Sequence, residues 1–287
     1  MVKKNDRVVR EAVGLLKRLG IEKPPIDVKK ITGDSGLLLS AMPDGGADGV
    51  SGMLIRHGNH FGILYATHIN NEQFQRFSIG HELGHFFLPG HHEAVMRNGV
   101  HQSYALKPST DYFEREANQF ASALLMPPLL FEPAAERHEP GLEAVRALSE
   151  QFDTSLTTTA IEYVLRTSDI VAIVVSAGGL VEFSFLSHGL WQYPGVLGLK
   201  KGSLLPASLT KAFNAKACGS DTHGEETSTS ELQDWFGGST HGSLVEEVIG
   251  LGRYGRSLTV LTPDEVPTLD ELEATANLEE SWEARFK

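Results

Sequence analysis

Residues 77–88 have the sequence FSIGHELGHFFL, which contains the pattern HExxH. On an α-helix, side chains four residues apart project from the same face, so the imidazoles of His81 and His85 can converge on one cation. Glu82 places a carboxylate next to that face. Two neutral imidazoles, an open coordination position for water and a nearby carboxylate are the groups that a zinc hydrolase requires. The segment therefore predicts a metal-binding helix with Glu82 as a general base.

Apolar and capping residues define the limits of this predicted helix. Phe77, Leu83 and Phe87 give it a side that can be buried while the histidines face the other way. Asn71 suits an N-terminal cap, and Pro89 ends the helix. The sequence therefore predicts that the metal-binding helix is set into a hydrophobic core.

The residues before the motif predict two helices and a small sheet. Apolar residues recur at helical intervals from Val8 to Leu19, and a short second helix follows at 26–31. Short strands, separated by turns rich in glycine, asparagine and aspartate, are predicted at 37–40, 52–56 and 61–66. We expect them to form a small antiparallel sheet beside the metal helix. The free edge of such a sheet can receive an extended peptide through main-chain hydrogen bonds.

A later helix can supply a third metal ligand. It begins after Asp111, which suits an N-terminal cap, and ends at Pro127. Glu114 shares a face with Ala117 and Ala121, and small residues one turn apart allow another helix to approach closely. This face is therefore predicted to lie against the metal helix, with Glu114 directed at the ion. Without a metal, Glu114 would be a first-turn acid favoured by the helix dipole.

His91 is the alternative third ligand. It follows His85 by six residues, which is the interval in the metzincin pattern HExxHxxGxxH. That pattern requires glycine at position 88, where the chain turns away from the helix so that the last histidine can reach the metal. Leu88 occupies this position. The sequence therefore favours Glu114 over His91.

Separate stretches of the chain together resemble the ImmA/IrrE metallopeptidases. They are RFSIGHELGH at 76–85, EREANQFA at 114–121 and LLMP at 124–127. The resemblance covers roughly residues 8–130. It implies that His81, His85 and Glu114 hold the metal in a gluzincin-like site and that Glu82 is the catalytic base.

The predicted site is that of a metal-dependent hydrolase. Zinc is the expected metal for two histidines and one glutamate, and manganese is compatible with the same ligands. Glu82 would accept a proton from the attacking water and pass it to the leaving amine. A donor that stabilises negative charge on the substrate carbonyl is also expected. The sequence offers three candidates for this donor, which are His101, Tyr104 and Tyr112.

The resemblance implies a substrate as well as a reaction. The best-known ImmA/IrrE proteins are intracellular regulators that cleave helix-turn-helix repressors and thereby switch on mobile-element genes or a DNA-damage response. The chain is therefore expected to be an endopeptidase that regulates transcription under stress by cleaving such a repressor. The competing hypothesis is a non-enzymatic transcription regulator in which the metal only organises the fold. Glu82 favours the enzyme, because a purely structural site does not need a carboxylate beside an open coordination position.

Residues 142–166 predict two helices joined at 152–155, which is a helix-turn-helix outline. A helix that reads DNA presents arginine, lysine, asparagine or glutamine, whereas the second helix offers mainly threonine with Glu162 and Arg166. The net charge of −12 also disfavours a protein that grips nucleic acid. The segment is therefore predicted to pack within the protein, and direct DNA binding is not expected.

A second α/β unit is predicted from residue 168 onward. It opens with a hairpin over 169–187, whose turn is Gly178-Gly179. Further strands are predicted near 244–249 and 257–262, and helices at 207–217 and 229–236. In IrrE relatives the distal domain is GAF-like, and the resemblance therefore implies a sensory or docking role for this region.

The predicted fold class is α+β. Its parts are a metallopeptidase domain at 1–140, a helix-turn-helix-like segment at 141–167 and a C-terminal α/β domain at 168–287. The single cysteine, Cys218, suits a reducing compartment. The charged start shows no secretory signal, and no apolar run approaches the ~18 residues of a membrane span. A cytoplasmic location without membrane association is therefore expected.

Overall fold

The computed structural model describes residues 6–43, 49–96, 99–104, 111–216, 222–252, 255–268, 270–272 and 274. The chain separates into two compact units. The first consists of Met1–Ala134 with Ala147–Thr159, and the second of Ala135–Arg146 with Ala160–Lys287. Helices and sheets together make the fold α+β, the class that the sequence predicted. The domain limits at residues 140 and 167 stay a prediction.

The described residues up to 166 form eight helices. In chain order they are α1 (Asp6–Arg18), α2 (Val28–Asp34), α3 (Glu72–Phe87), α4 (His91–Val95), α5 (Tyr112–Leu125), α6 (Pro128–Ala135), α7 (Leu142–Phe152) and α8 (Leu156–Arg166). These include the six that the sequence predicted, whereas α4 and α6 were not predicted. The predicted caps are confirmed, since Asn71 accepts a hydrogen bond from the Phe74 amide and Asp111 accepts one from the Phe113 amide. The divisions between the two units fall at the end of α6 and within α7 and α8.

The sheet of the first unit is mixed, whereas the sequence predicted an antiparallel one. Its strands are β1 (Leu38–Ala41), β2 (Gly52–His57), β3 (His60–Tyr65) and β4 (Val100–Ser103), in the order β1-β3-β2-β4. β2 and β3 form an antiparallel hairpin, and β1 lies parallel to β3 on its other side. β4 was not among the strands predicted from the sequence. Its sequence, VHQS, contains a single apolar residue, and it pairs with β2.

α3 and α5 approach each other closely through small residues. A Cβ atom added at Gly84 would lie 3.1 Å from the Ala117 Cα, and one at Gly80 would lie 3.4 Å from the Ala121 Cβ. This confirms the predicted contact between the face of Ala117 and Ala121 and the metal helix. The core around the contact is apolar and includes the fully buried residues Ile79, Leu83, Phe120 and Leu124. The packing fixes α5 relative to α3.

The second unit contains an antiparallel five-stranded sheet. Its strands are β5 (Ala172–Ala177), β6 (Leu180–Leu186), β7 (Glu225–Glu231), β8 (Ser243–Gly250) and β9 (Arg256–Glu265), in the order β6-β5-β9-β8-β7. The helices are α9 (His188–Trp191), α10 (Leu209–Lys216) and α11 (Leu232–Phe236). The predicted hairpin is present as β5 and β6. The helix predicted at 229–236 begins only at Leu232, because the preceding polar residues form the edge strand β7.

Cys218, from which the sequence predicted a reducing compartment, lies outside the described residues. Among the helices that the structure describes, none has the length and apolar character needed to span a membrane.

Candidate metal centre

Four side chains of the first unit form a cluster of potential metal ligands, namely His81, His85, His101 and Glu114, whose ligand atoms all lie within 4.8 Å of one another. The Nε2 atoms of His81 and His85 are 3.0 Å apart. Glu114 faces both rings, with Oε2 3.4 Å from His81 Nε2 and Oε1 3.2 Å from His85 Nε2. The structure therefore brings together the three ligands that the sequence predicted.

His101 joins the cluster from β4. Its Nε2 atom lies 3.0 Å from Glu114 Oε1 and 3.3 Å from the Ser103 hydroxyl. It was one of three candidates for a charge-stabilising donor. The others are placed differently, since the Tyr112 hydroxyl donates to Glu116 Oε1 and the Tyr104 hydroxyl donates to Gln102 Oε1. Of the three, only His101 belongs to the cluster.

Glu82 is fully buried beside the cluster. Neither of its carboxylate oxygens has a hydrogen-bond partner in the part of the chain that the structure describes. A Cβ atom at Gly52 on β2 would lie only 2.5 Å from Glu82 Oε1, so the carboxylate occupies space that a larger residue would fill. Burial raises the pKa of the Glu82 carboxyl, because removal from water disfavours the charged form. A carboxylate in this environment is a stronger base than one in water.

The ionisation of His85 and Glu114 suits metal binding. For His81, burial would lower the pKa, but interactions with Glu114 and Glu82 outweigh it and raise the pKa. Burial lowers the pKa of His85 to about 3, so this ring is neutral and has a free lone pair near neutral pH. Burial by itself would raise the pKa of Glu114. Hydrogen bonds with His101, His81 and His85 outweigh it and hold the pKa below its usual range. Neutral imidazoles and an ionised carboxylate are the forms in which these side chains bind metals.

His91 lies outside the cluster of four. Its Nε2 atom is 2.9 Å from Glu116 Oε2, and its Nδ1 atom is 3.4 Å from the Nδ1 atom of His85. The chain turns at Gly90, which has a φ of 82°, two positions later than the metzincin pattern requires. His91 therefore reaches the far side of the His85 ring. That Glu114 rather than His91 is the third ligand stays a prediction, and this geometry favours it.

Asn118 and Glu116 were not recognised from the sequence as parts of the site. The Nδ1 atom of His81 lies 2.9 Å from Asn118 Oδ1, and this amide oxygen can only accept the ring proton. Asn118 follows Glu114 by four residues and so projects from the same face of α5, a signal that the sequence contained. Gly52, by contrast, gave no signal, because its importance depends on the position of Glu82.

The donor set fits a divalent transition metal. Ligands bound at 2.0–2.1 Å to a tetrahedral zinc ion lie about 3.3 Å from one another. The distance of 3.0 Å between the two ring nitrogens agrees with that spacing, and so do the distances of 3.2 and 3.4 Å from these nitrogens to the Glu114 oxygens. Imidazole nitrogen and carboxylate oxygen suit zinc, and manganese also accepts them.

The fold and the cluster define a candidate metal-binding domain with an HExxH motif, and comparison with known proteins assigns its family. Residues 35–162 match the model of the Peptidase M78 family, which is described as the IrrE N-terminal-like domain. This range includes His81, Glu82, His85 and Glu114. Residues 35–162 therefore belong to this family, and the resemblance to the ImmA/IrrE metallopeptidases is confirmed for them.

One curated protein and one solved structure are also similar to this chain. The radiation response metalloprotease IrrE of Deinococcus deserti is 30% identical over 145 residues, which are 50% of this chain and 49% of that protein. The chain therefore spans about half the length of this curated relative. A solved structure titled Mycobacterium tuberculosis transcriptional regulator has a TM-score of 0.58 and 13% identity, and the match covers 90% of this chain and 76% of that one. At this identity the likeness shows a shared fold alone.

Proposed function

We propose that the chain is a metal-dependent endopeptidase, with zinc as the expected metal and manganese as the alternative. The observation that carries this proposal is the cluster of His81, His85 and Glu114 beside the buried carboxylate of Glu82, which has no hydrogen-bond partner among the described residues. The similarity of this region to a metalloprotease supports it further. When bound, the metal would act as a Lewis acid that polarises the scissile carbonyl and acidifies the attacking water.

Each side chain of the site has a separate task. His81, His85 and Glu114 hold the metal. Glu82 accepts the proton of the attacking water on its carboxylate and delivers that proton to the nitrogen of the leaving amine. The Nε2 atom of His101 lies 3.0 Å from Glu114 Oε1, and from this position it can donate to the carbonyl oxygen as negative charge develops. β4 also ends the order β1-β3-β2-β4, so that an extended peptide could pair with its free edge beside His101.

The proposed substrate is a helix-turn-helix transcriptional repressor. Its cleavage would regulate a stress or DNA-damage response, or mobile-element genes, in the cytoplasm. The resemblance to the ImmA/IrrE proteins supports this substrate class. The region 168–287 is proposed to act as a sensory or docking domain.

Incubation of the metal-loaded protein with candidate repressors from its own genome tests the proposal. Wild-type protein should release defined fragments of one repressor, which mass spectrometry can identify. The Glu82→Gln variant should bind as much metal, since the ligands are unchanged, but cleave at least about 100-fold more slowly, because an amide cannot accept the proton. Cleavage at the wild-type rate by this variant would exclude Glu82 as the base.

A metal-stabilised transcription regulator that acts through α7 and α8 is the competing proposal. The shared fold with a protein titled transcriptional regulator is the observation in its favour. Arg166 of α8, however, is paired with Glu162 at 2.7 Å, and both side chains are buried. A buried and paired arginine is poorly placed to contact DNA. Sequence-specific DNA binding by the Glu82→Gln variant, without cleavage by the wild type, would favour the regulator.

A further inference from the structure

We propose that His91 and Glu116 position the metal-binding ring of His85 through two consecutive hydrogen bonds. His91 Nδ1 lies 3.4 Å from His85 Nδ1, and His91 Nε2 lies 2.9 Å from Glu116 Oε2. The three side chains form a continuous series from α3 through α4 to α5, which we call the positioning relay. The inference rests on the proposed metal centre, but it gives His91 a role other than that of a ligand.

The direction of both hydrogen bonds follows from the nitrogen that faces the cluster. His85 turns its Nε2 atom toward His81 and Glu114. This atom must keep its lone pair for the ion, so the proton of the neutral ring sits on Nδ1 and is donated to His91 Nδ1. A His91 ring that accepts at Nδ1 carries its own proton on Nε2 and donates it to Glu116. Each ring nitrogen of the relay therefore has one defined role.

Glu116 is anchored strongly enough to end the relay. Its side chain is 4% exposed, and Arg7 lies 2.7 Å from Oε2 while the Tyr112 hydroxyl donates to Oε1. A buried carboxylate needs such partners to remain ionised. Arg7 belongs to α1, which packs against α5, and it lies outside the residues that match the family model. The first helix of the chain therefore supports the metal centre.

The two histidines of the HExxH motif are held in different ways. Asn118 binds the Nδ1 proton of His81 directly with a neutral amide oxygen. His85 instead has an imidazole that is itself hydrogen-bonded to a carboxylate. Such a partner fixes the ring orientation and increases the basicity of the ligand, and its loss typically lowers metal affinity 10–100-fold. The relay is therefore expected to affect the affinity of the site for metal as well as its shape.

A purely structural histidine would behave differently. His91 is fully buried and packs edge-to-face against Phe113, at 5.0 Å between ring centroids. If packing were its only task, an apolar replacement would leave metal affinity unchanged. If it were a ligand, the replacement would change the set of atoms bound to the metal. The relay predicts weaker binding with the same ligands.

Metal affinity of the full-length protein distinguishes these roles. His91→Leu should lower zinc affinity 10–100-fold in a chelator competition, yet still bind one ion per chain at saturating zinc. His91→Gln, which keeps an acceptor oxygen for the His85 ring, should restore most of the loss. His92→Leu is the matched control, because the neighbouring His92 pairs with Glu93 and lies outside the cluster. Its affinity should equal that of the wild type.

Two further measurements keep the test decisive. The cobalt-loaded His91→Leu variant should keep the absorption intensity of the wild type, whereas loss of a ligand would change it. If His91→Leu does not fold, Glu116→Gln carries the test and should weaken zinc binding at least several-fold. Unchanged affinity in either folded variant would overturn the relay. These readouts do not require cleavage, so a protein that shows the relay but cuts no repressor would disprove only the proposed function.

Discussion

Glu114 and His91 approach His85 from opposite sides, at Nε2 and Nδ1 respectively. The sequence left both residues as candidates for the third ligand, because spacing alone does not show on which side of the ring a side chain arrives. The turn at Gly90 brings His91 to the Nδ1 side of the ring and so favours Glu114 as the ligand, and the cap at Asp111 fixes the start of the helix that carries Glu114. Their substitution should therefore have different consequences for metal binding.

We expect Glu114→Ala to bind much less than one zinc ion per chain, because the substitution removes the only carboxylate of the cluster. His91→Ala should bind about one ion per chain when zinc is saturating, since the three proposed ligands remain. Elemental analysis of both proteins, each equilibrated with the same saturating concentration of free zinc, measures the difference. The opposite pattern would support a metzincin-like site in which His91 is the ligand.

Gly52 determines the room that is available to Glu82. Gly52→Ala should lower the rate of cleavage by about 100-fold, because displacement of a catalytic group by about 1 Å has an effect of this size. Metal content should stay near the wild-type value, since the close contacts of the added methyl group are with Glu82. Gly62→Ala on the adjacent strand is a suitable control, because its Cβ atom would come no closer than 3.4 Å to Leu38. Equal rates for the two variants would contradict this role of Gly52.

Among the secondary-structure elements, α3 and α5 could be predicted from the sequence, and β4 could not. Both helices have an N-terminal cap, a helix-ending proline nearby and a face of small residues. β4 exists because β2 offers it a partner, and nothing within its four residues indicates a strand. His101 was therefore available as a donor but could not be placed beside Glu114. The polar edge strand β7 was missed for a similar reason.

The contact between α3 and α5 should be sensitive to one added methyl group. Gly84→Ala places its Cβ atom 3.1 Å from the Ala117 backbone and should destabilise the fold by about 1–3 kcal/mol. It should also weaken zinc binding, because Glu114 moves away from His85 when the helices separate. Gly80→Ala is the matched variant, since its nearest contact, at 3.4 Å, is ordinary. Thermal unfolding and zinc titration of both proteins test this, and equal behaviour would contradict it.

Each of the two units is built from two separate stretches of the chain, and the sequence did not indicate this division. Periodicity located α7 and α8 correctly, but it could not show that 147–159 belong with the first unit. One of the contacts in that association is made by Arg76, which is 8% exposed and pairs with Asp153 at 3.0 Å. Arg76 also donates to the Ile26 carbonyl. Such long-range partners are not encoded in local patterns.

Two fragments of the protein should therefore differ in folding and in zinc binding. A 1–134 fragment removes Asp153 and leaves the buried charge of Arg76 without its ionic partner, which typically costs about 3–5 kcal/mol. We expect it to be unfolded and unable to bind zinc. A 1–167 fragment keeps this pair and all proposed ligands, and it should bind zinc but cleave its repressor more slowly or without its normal trigger. Circular dichroism, zinc content and cleavage assays compare the two. Zinc binding by the shorter fragment would contradict the importance of the Arg76 pair.

The anchoring of Glu116 by Arg7 has a consequence for choosing the limits of a fragment that contains the proposed metal centre. The match to the family model starts at residue 35, and a protein engineer who excised the domain there would discard α1. The excised piece would still contain every residue of the HExxH signature. It would lack the guanidinium that keeps a buried carboxylate ionised 109 positions later in the chain. The range that matches the family model therefore leaves out Arg7, a residue that contacts the proposed support of the metal centre.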